Sequence, residues 1–222
     1  MSILEILGIS DDNDQTASPD HTVVTGTITS FSPDVAMVSL PDGSEAILPV
    51  SEFFPDRKFT AGLRMPMLLL TGSARPVCSV ARPELVEALY AGVVPELRSG
   101  LVRIMSVARS AGQRSKVAVA LTSDSPVDPV AAMIGRDANR VTLVRNLLGG
   151  ERIDVIAWHT DPATYLINAL APARVARVEV TDRGATVYAP SHQMSAAVGS
   201  SGLNSQLAGQ LIGLPVVVVP DR

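Results

Sequence analysis

The stretch MSAAVGSSGLNSQLAGQLIGLPVVVV, residues 194–219, decides the fold of the C-terminal part of the chain. Apolar residues at helical spacing occupy both sides of a turn made of two glycines and two serines, Gly199 to Gly202. Gly213 and Pro215 then precede a run of four valines, which is typical of a strand. The predicted order is therefore helix, glycine-bounded turn, helix and strand.

The same order occurs once before in the chain. Residues 100–158 predict two strands joined by a turn at Gly112, then two helices and a strand. Asp128 and Pro129 favour the start of the first of these helices, and Gly135 ends it. Residues 161–219 repeat the scheme, so the sequence contains a structural repeat of about 60 residues.

A pair of helices joined by a GxxG loop and followed by a strand is the arrangement of a KH domain, a module that binds single-stranded RNA. Glycines let the backbone approach a sugar-phosphate chain closely. The free amide groups of the loop lie at the start of the second helix, where the helix dipole favours anions. One GxxG is weak evidence, but two such units in tandem are much stronger.

Short strands and turn signals fill the region before the repeat. Four or five runs of 5–9 residues, separated by turns such as Pro41-Asp42-Gly43, predict a small barrel of the OB type. Pro83 favours the start of a helix that links the barrel to the repeat. The predicted fold is α+β and multidomain: an acidic, disordered tail, an S1-type OB barrel, a connecting helix and two type II KH domains, over residues 1–21, 22–80, 81–98, 99–159 and 160–222.

The distribution of charge favours the repeat as the partner of an anion. The net charge of the chain is −4, but residues 1–97 carry 5 basic and 13 acidic side chains, whereas residues 98–222 carry 13 and 9. Nearly all of the basic residues in the second part are arginines, which suit bidentate phosphate contacts. A single cysteine, the absence of a signal peptide and of a membrane-spanning run lead us to expect a cytoplasmic protein without membrane contact.

The sequence offers no pattern for catalysis. The three histidines, His21, His159 and His192, lack metal-ligand spacing, so we expect no metal. The GSSG turn is not the G-x-S-x-G motif of a nucleophilic serine, and no Walker loop or dinucleotide fingerprint is present. We therefore expect a protein that is not an enzyme and that uses no cofactor.

Four stretches carry a resemblance to a known family: residues 82–119, 128–141, 148–180 and 197–213, the third being the most specific. They resemble the NusA family of bacterial transcription factors. The resemblance implies an S1-type barrel and two KH domains that bind nascent RNA during pausing, termination and antitermination. That family normally begins with a domain that holds RNA polymerase, and we expect that domain to be missing here, because only an acidic tail precedes the barrel.

Both predicted loops depart from the pattern of the family. The first reads Gly135-Arg136-Asp137-Ala138, so it lacks the second glycine and carries an acid where a phosphate would lie. The second keeps both glycines but has serines where a basic residue is usual. The predicted RNA contacts are Gly135, Arg136, Arg140, Gly199, Ser200, Ser201, Gly202, Asn204 and Gln206.

These departures leave two functions open. One is weak, salt-sensitive binding of single-stranded RNA, with possible contacts to RNA polymerase or another component of transcription or translation. The alternative is a protein-interaction module derived from NusA, with degenerate KH loops, that docks on RNA polymerase, the ribosome or another protein. The barrel adds little to the first, because Phe31 is the one aromatic residue of its early strands, and Phe53 and Phe54 are expected in the core.

Overall fold

The computed structural model describes residues 21–54, 57–70 and 75–221. Two parts of the sequence lie outside the described residues: the predicted disordered tail up to residue 20, and within it the stretch SILEILGI at residues 2–9, whose pattern predicts about two turns of amphipathic helix. No helix in the described part of the chain is long and apolar enough to cross a membrane.

Five strands close into the predicted barrel in the order β1-β2-β3-β5-β4. Asp42 shapes the turn between the second and third strands, because its Oδ1 accepts hydrogen bonds from the amide and the hydroxyl of Ser44. Gly26 allows the sheet to curve tightly: a Cβ there would lie 2.6 Å from Val38 Cγ1. The strands are β1 His21–Phe31, β2 Val35–Ser39, β3 Glu45–Pro49, β4 Arg64–Leu70 and β5 Val77–Ser79.

The predicted connecting helix is two helices, separated at Val94, whose extended backbone precedes Pro95. Leu89 and Tyr90 of the longer helix are buried in the same apolar cluster as Val117 of the sheet that follows. We therefore propose that this segment belongs to the first KH unit rather than linking two domains. The helices are α1 Glu84–Val93 and α2 Pro95–Arg98.

The first KH unit continues with a three-stranded sheet in the order β6-β7-β8 and a helical hairpin. Strands β6 and β7 are antiparallel, and β7 and β8 are parallel. Asp128 caps the first helix of the hairpin, as predicted, by accepting hydrogen bonds from the amides of Val130 and Ala131. The elements are β6 Val102–Ser110, β7 Arg114–Leu121, α3 Pro129–Ile134, α4 Asn139–Leu147 and β8 Arg152–Ala157.

The second KH unit repeats this order with a sheet arranged β11-β10-β9. Strands β9 and β10 are antiparallel, and β10 and β11 are parallel, so the prediction of two tandem type II KH domains is confirmed. Asp161 caps its first helix through the amide of Thr164. The elements are α5 Pro162–Leu170, β9 Arg177–Thr181, β10 Gly184–Ala189, α6 Met194–Val198, α7 Leu203–Ile212 and β11 Val216–Pro220.

The barrel packs against the first KH unit around a buried ion pair. Glu151 and the Arg109 side chain are 0% and 2% exposed, and Arg109 Nη2 lies 2.9 Å from Glu151 Oε2. Glu151 also accepts a hydrogen bond from the amide of Gly112, whose Cα faces the ring of Phe54 in the barrel. Arg109 donates to the carbonyl of Arg82 just before α1. The ion pair therefore holds the Gly112 turn of the first unit in place, and Phe54 of the barrel packs against that turn.

The two KH units share one apolar cluster. Ala108, Ala118 and Ile156 point from the first sheet, away from its own helices, toward α5 and α7 of the second unit. Leu166 and Leu207 are buried against them. The helices that form the core of the second unit thus also cover the outer face of the first sheet.

Candidate nucleic-acid interface

The two predicted loops have the same backbone although their sequences differ. Gly135 (φ 77°, ψ 169°) corresponds to Gly199 (φ 78°, ψ 171°), a region that side chains exclude. Asp137 and Ser201 share φ 52°. Ala138 adopts φ 58°, the left-handed conformation that Gly202 adopts in the second loop. The first loop therefore keeps the shape of a GxxG loop without its second glycine.

The backbone amides at the tip of the second loop point to a place where an anion can bind. Gly202 donates to the carbonyl of Gly199, and the amide of Leu203 donates to the carbonyl of Ser200. Within the described part of the chain, the amides of Ser200 and Ser201 make no such bond. Both side chains are exposed, and the loop opens directly into the N-terminus of α7. Free amides at a helix N-terminus attract a phosphate.

Asn204 lies inside the protein rather than at the groove. It is 1% exposed, and its Nδ2 donates to the carbonyls of Ala196, Ala197 and Leu170 at 3.0–3.2 Å. Those carbonyls end α6 and α5, so this one amide group joins the helix before the loop to the helix after it. The predicted contact between Asn204 and RNA needs an exposed side chain, which the structure does not provide.

Arg140 has the same function in the first loop, five residues after the first glycine as Asn204 is in the second. Its Nη1 donates to the carbonyl of Ala132 at 2.6 Å and lies 2.8 Å from Glu96 Oε2 on α2. The guanidinium is thus committed to a carbonyl and a carboxylate. Arg136 and Asp137 remain exposed at the loop tip with opposite charges.

Gln206 and Gln210 lie on the exposed side of α7. They border a groove of about 480 Å³ between this helix and the turn that leads to β11. Gly209 allows the close approach, because a Cβ there would lie 2.7 Å from the carbonyl oxygen of Leu214. The groove has amide side chains and no charged residue; its lining is Ser205, Gln206, Gly209, Gln210, Gly213, Leu214, Pro215 and Val216.

The barrel presents a small aromatic surface. Phe31 is 45% exposed and makes an edge contact with Phe53, whose ring stacks on Phe59 at 4.1 Å. Phe54 is buried in the barrel core, as predicted, while Phe53 is half-buried. Among the described residues, no group of three or more His, Cys, Asp or Glu side chains could hold a metal ion.

The sequence reasoning missed the buried charges of the first unit. Lys116 and Asp154 pair in the middle of the apolar strands β7 and β8, and Glu151 pairs with Arg109 next to them. The available signal was a pair of charged residues at alternate positions of each largely apolar strand, Arg114 and Lys116 in β7 and Arg152 and Asp154 in β8. The partners come from distant parts of the chain, so spacing alone did not identify them.

Comparison with known proteins agrees with the geometry. A model of the NusA-like first KH domain matches residues 81–158, and one of the NusA-like second KH domain matches residues 162–220. Together they match more than half of the chain. The first match begins at residue 81, three residues before α1, and so includes that helix, in agreement with its packing into the first unit.

Three curated relatives bear the name transcription termination/antitermination protein NusA. The protein of Bacillus subtilis is 38% identical over 176 residues, which is 76% of this chain and 47% of the relative. The protein of Mycobacterium tuberculosis is 38% identical over 186 residues, 80% and 53% of the two chains, and that of Thermus thermophilus is 39% identical over 180 residues, 78% and 46%. The chain spans about half the length of the curated relatives it matches.

Proposed function

Because the chain belongs to the NusA family, we propose that it binds nascent single-stranded RNA and acts in transcription elongation, termination or antitermination. The observation that carries the proposal is the second loop. It combines both glycines, two free amides and two exposed hydroxyls at the N-terminus of a ten-residue helix. This is an anion site built mainly from backbone groups.

The proposed contact set follows from exposure. Gly199, Ser200, Ser201 and Gly202 hold a phosphate, and Gln206 faces the adjoining nucleotide from the next turn of α7. In the first loop, Gly135 and Arg136 provide the corresponding contact. We assign Arg140 and Asn204 a different role: they are positioning residues that hold each loop against the preceding helix.

The charge of the loops predicts modest affinity. The second loop and α7 carry no charged side chain, and the first loop has Asp137 beside Arg136. Few cations are therefore available to release counterions from RNA, so we expect the affinity to fall with salt less steeply than the salt-sensitive binding predicted from the sequence. The names of the relatives also support a partner in the transcription machinery, with RNA polymerase among the candidates. They likewise support a role in which this chain binds its partners and catalyses no reaction.

The experiment is a titration of the full chain with fluorescein-labelled oligouridylate at about 50 mM salt, followed by anisotropy, where electrostatic contacts are strong. The variant Gly202→Asp places a carboxylate at the loop tip and should abolish most of the binding. Gly43→Asp is the matched control: it lies in the turn between β2 and β3 of the barrel, has φ 83° against 79° for Gly202, and likewise has open space at its Cβ. Absence of binding by the parent chain, or equal binding by both variants, would contradict the proposal.

The second candidate function is that of a protein-interaction module. The observation that favours it is Asp137, exposed where the first loop would meet a phosphate, together with the commitment of Arg140 to Glu96. Affinity capture from a bacterial lysate with and without nuclease distinguishes the two. Proteins that remain after nuclease, and that are lost when residues 1–20 are removed, would favour this second candidate.

A further inference from the structure

Lys116 is an unusual side chain for the centre of a strand. It is one of two lysines in the chain and is 0% exposed, although it faces away from the helices of its own KH unit. Burying an ammonium group is costly unless it is paired and hydrogen-bonded. Its location therefore requires an explanation in terms of what it contacts.

The contacts of Lys116 connect the two KH units. Its Nζ lies 2.9 Å from Asp154 Oδ2 on the neighbouring strand β8 and donates, at 2.7 Å, to the carbonyl oxygen of Ala169 in the last turn of α5. The first contact is within the first unit, and the second is with the second unit. The carbonyl end of a helix is also where a cation is favoured by the helix dipole.

Asp154 keeps the lysine in place. Arg114 Nε donates to the same Oδ2 at 2.6 Å, and Arg152 Nε lies 3.3 Å from Oδ1. Burial alone would raise the pKa of Asp154, but Lys116 and Arg114 hold it below its usual range. The carboxylate is therefore ionised at neutral pH. Without the lysine, its negative charge would still be paired with the guanidinium of Arg114.

The second sheet shows that a KH unit does not itself need this lysine. There the corresponding outward-facing pair is Thr186 and Val217, and Val217 is 58% exposed because nothing in the described structure covers that face. Lys116 and Asp154 occur where the face is covered by α5 and α7. The buried charged pair is thus present where one unit contacts the other, and the fold of a single KH unit does not require it.

We propose that Lys116 is a positioning residue that fixes the orientation of the second KH unit relative to the first. Most of the contact is made of small and branched apolar side chains, Ala108, Ala118, Ile156, Leu166 and Leu207. Such surfaces adhere without strong directional preference, whereas a hydrogen bond from a buried ammonium to one carbonyl requires one position and one angle. Two neutral hydrogen bonds also cross the contact, between the hydroxyls of Ser106 and Tyr165 at 2.7 Å and from Asn168 Nδ2 to the carbonyl of Ala157 at 3.0 Å. The Lys116–Ala169 bond is the charged and buried one of the three, so we expect it to contribute most to the choice of that angle.

The consequence for binding rests on the proposed function. Two loops held at one orientation can engage one RNA strand together, so the second contact occurs at a high effective concentration. If the orientation varies, each loop still binds by itself, but the gain from joint binding decreases. Lys116 then determines affinity for RNA long enough to reach both loops, without contacting it.

The test of orientation uses pulsed electron spin resonance between spin labels on the two units. Asn146→Cys on α4 and Ser195→Cys on α6 are both exposed and supply the labels. The native Cys78 is buried, and burial raises its pKa to about 12, so it does not compete for the reagent. We expect one narrow distance distribution in the labelled parent and a clearly broader one after Lys116→Met, which keeps the size of the side chain and leaves Asp154 paired with Arg114.

Two further variants keep this test decisive. Lys58→Met removes the other lysine, which is exposed in the barrel, and should leave the distribution unchanged. Asp154→Asn keeps the Lys116–Ala169 bond but weakens its support, so it should broaden the distribution less than Lys116→Met. A distribution in Lys116→Met identical to that of the parent overturns the proposal, whatever the result with RNA.

The test of the consequence compares two lengths of oligouridylate by anisotropy. One is about four nucleotides long, which one KH groove clamps, and the other is about twelve. Lys116→Met should bind the longer one about tenfold more weakly, within the range that joining two modules can add, and the shorter one as the parent does. Equal weakening for both lengths would mean damage to the grooves and would overturn the positioning role. If the parent binds neither, the proposed function fails, while the distance measurement still decides the orientation.

Discussion

The two KH loops of this protein have nearly the same backbone and different chemistry. The second has glycine at both ends, while the first places Ala138 in a left-handed conformation that an alanine adopts at a cost of about 1–2 kcal/mol. Arg140 in the first loop and Asn204 in the second bind the carbonyls of the preceding helix in the same way. The shape of each loop is thus maintained by these side-chain hydrogen bonds as well as by its glycines.

The outer faces of the two sheets differ in the same sense. The first is covered by the neighbouring unit and contains Lys116 and Asp154, whereas the second is open and contains Thr186 and Val217. In the first unit, charged side chains are therefore buried at the contact with the second unit. Its exposed loop carries one positive and one negative side chain, so its net charge is close to zero. A count of arginines in the sequence therefore overstates the cationic surface available to RNA.

The largest expected effect is the loss of the first glycine of a loop. Gly199→Ala should lower the free energy of unfolding by about 3 kcal/mol, because the backbone region excludes side chains and the new Cβ would lie 2.7 Å from the backbone nitrogen of Asn204. Gly135→Ala should cost about 2 kcal/mol, since the same backbone penalty applies but the new Cβ meets side-chain atoms of Asn139 and Arg140 rather than backbone.

Urea unfolding followed by circular dichroism measures both values. The comparison between the units requires Gly199→Ala to be the more damaging of the two. If the order were reversed, the side chains that face Gly135 would be less able to move aside than the backbone that faces Gly199, and the predicted difference between the two loops would be wrong.

The next effect concerns the buried charge of the first unit. Burial lowers the pKa of Lys116 to about 8, against 10.5 for an ordinary lysine. Between those two pH values the unfolded chain binds more protons than the folded one, so stability rises with pH, by up to about 3 kcal/mol at about 1.4 kcal/mol for each pKa unit. Arg114, Arg152 and Asp154 are the charged groups that face the lysine. The pKa of Asp154 is held below its usual range by Lys116 and Arg114, so this carboxylate stays ionised throughout.

Unfolding at a series of pH values from 7 to 10.5 measures this term as the difference between the parent chain and Lys116→Met. Lys58→Met should show no comparable pH-dependent difference, because that side chain is exposed. A constant difference across the range would mean that the lysine titrates alike in both states, in conflict with its burial.

Much of this molecule follows from its sequence, and the exceptions have physical causes. The barrel, the repeat and the two loops follow from local signals: turn residues, helix caps such as Asp128 and Asp161, and apolar periodicity. The side-chain roles in the loops do not. Whether Arg140 faces a phosphate or Glu96 depends on α2, 44 residues away in sequence. Local patterns fix backbone order, whereas partners of charged side chains depend on how elements pack.

A smaller effect is expected from exchanging the tips of the loops. Asp137→Ser should raise affinity for oligouridylate about fivefold and Ser201→Asp should lower it about fivefold, since an exposed charge near a phosphate contributes about 1 kcal/mol. Both residues adopt φ 52°, so the exchange places each side chain on the same backbone. Anisotropy at about 50 mM salt measures the change, and more salt should reduce it. Unchanged affinity in Ser201→Asp would place the phosphate away from the second loop.

The smallest effect tests the fourth position of each loop. Ala138→Gly should raise the free energy of unfolding by about 0.5–1 kcal/mol, because relief of the left-handed conformation exceeds the entropy that glycine adds to the unfolded chain. Gly202→Ala should lower it by a similar amount, since no atom lies within 4 Å of the new Cβ and the backbone penalty acts alone. Thermal unfolding of the two variants measures both. Equal and opposite changes would mean that Ala138 has no compensating contact, whereas a loss of stability in Ala138→Gly would show that its methyl group packs favourably enough to retain alanine there.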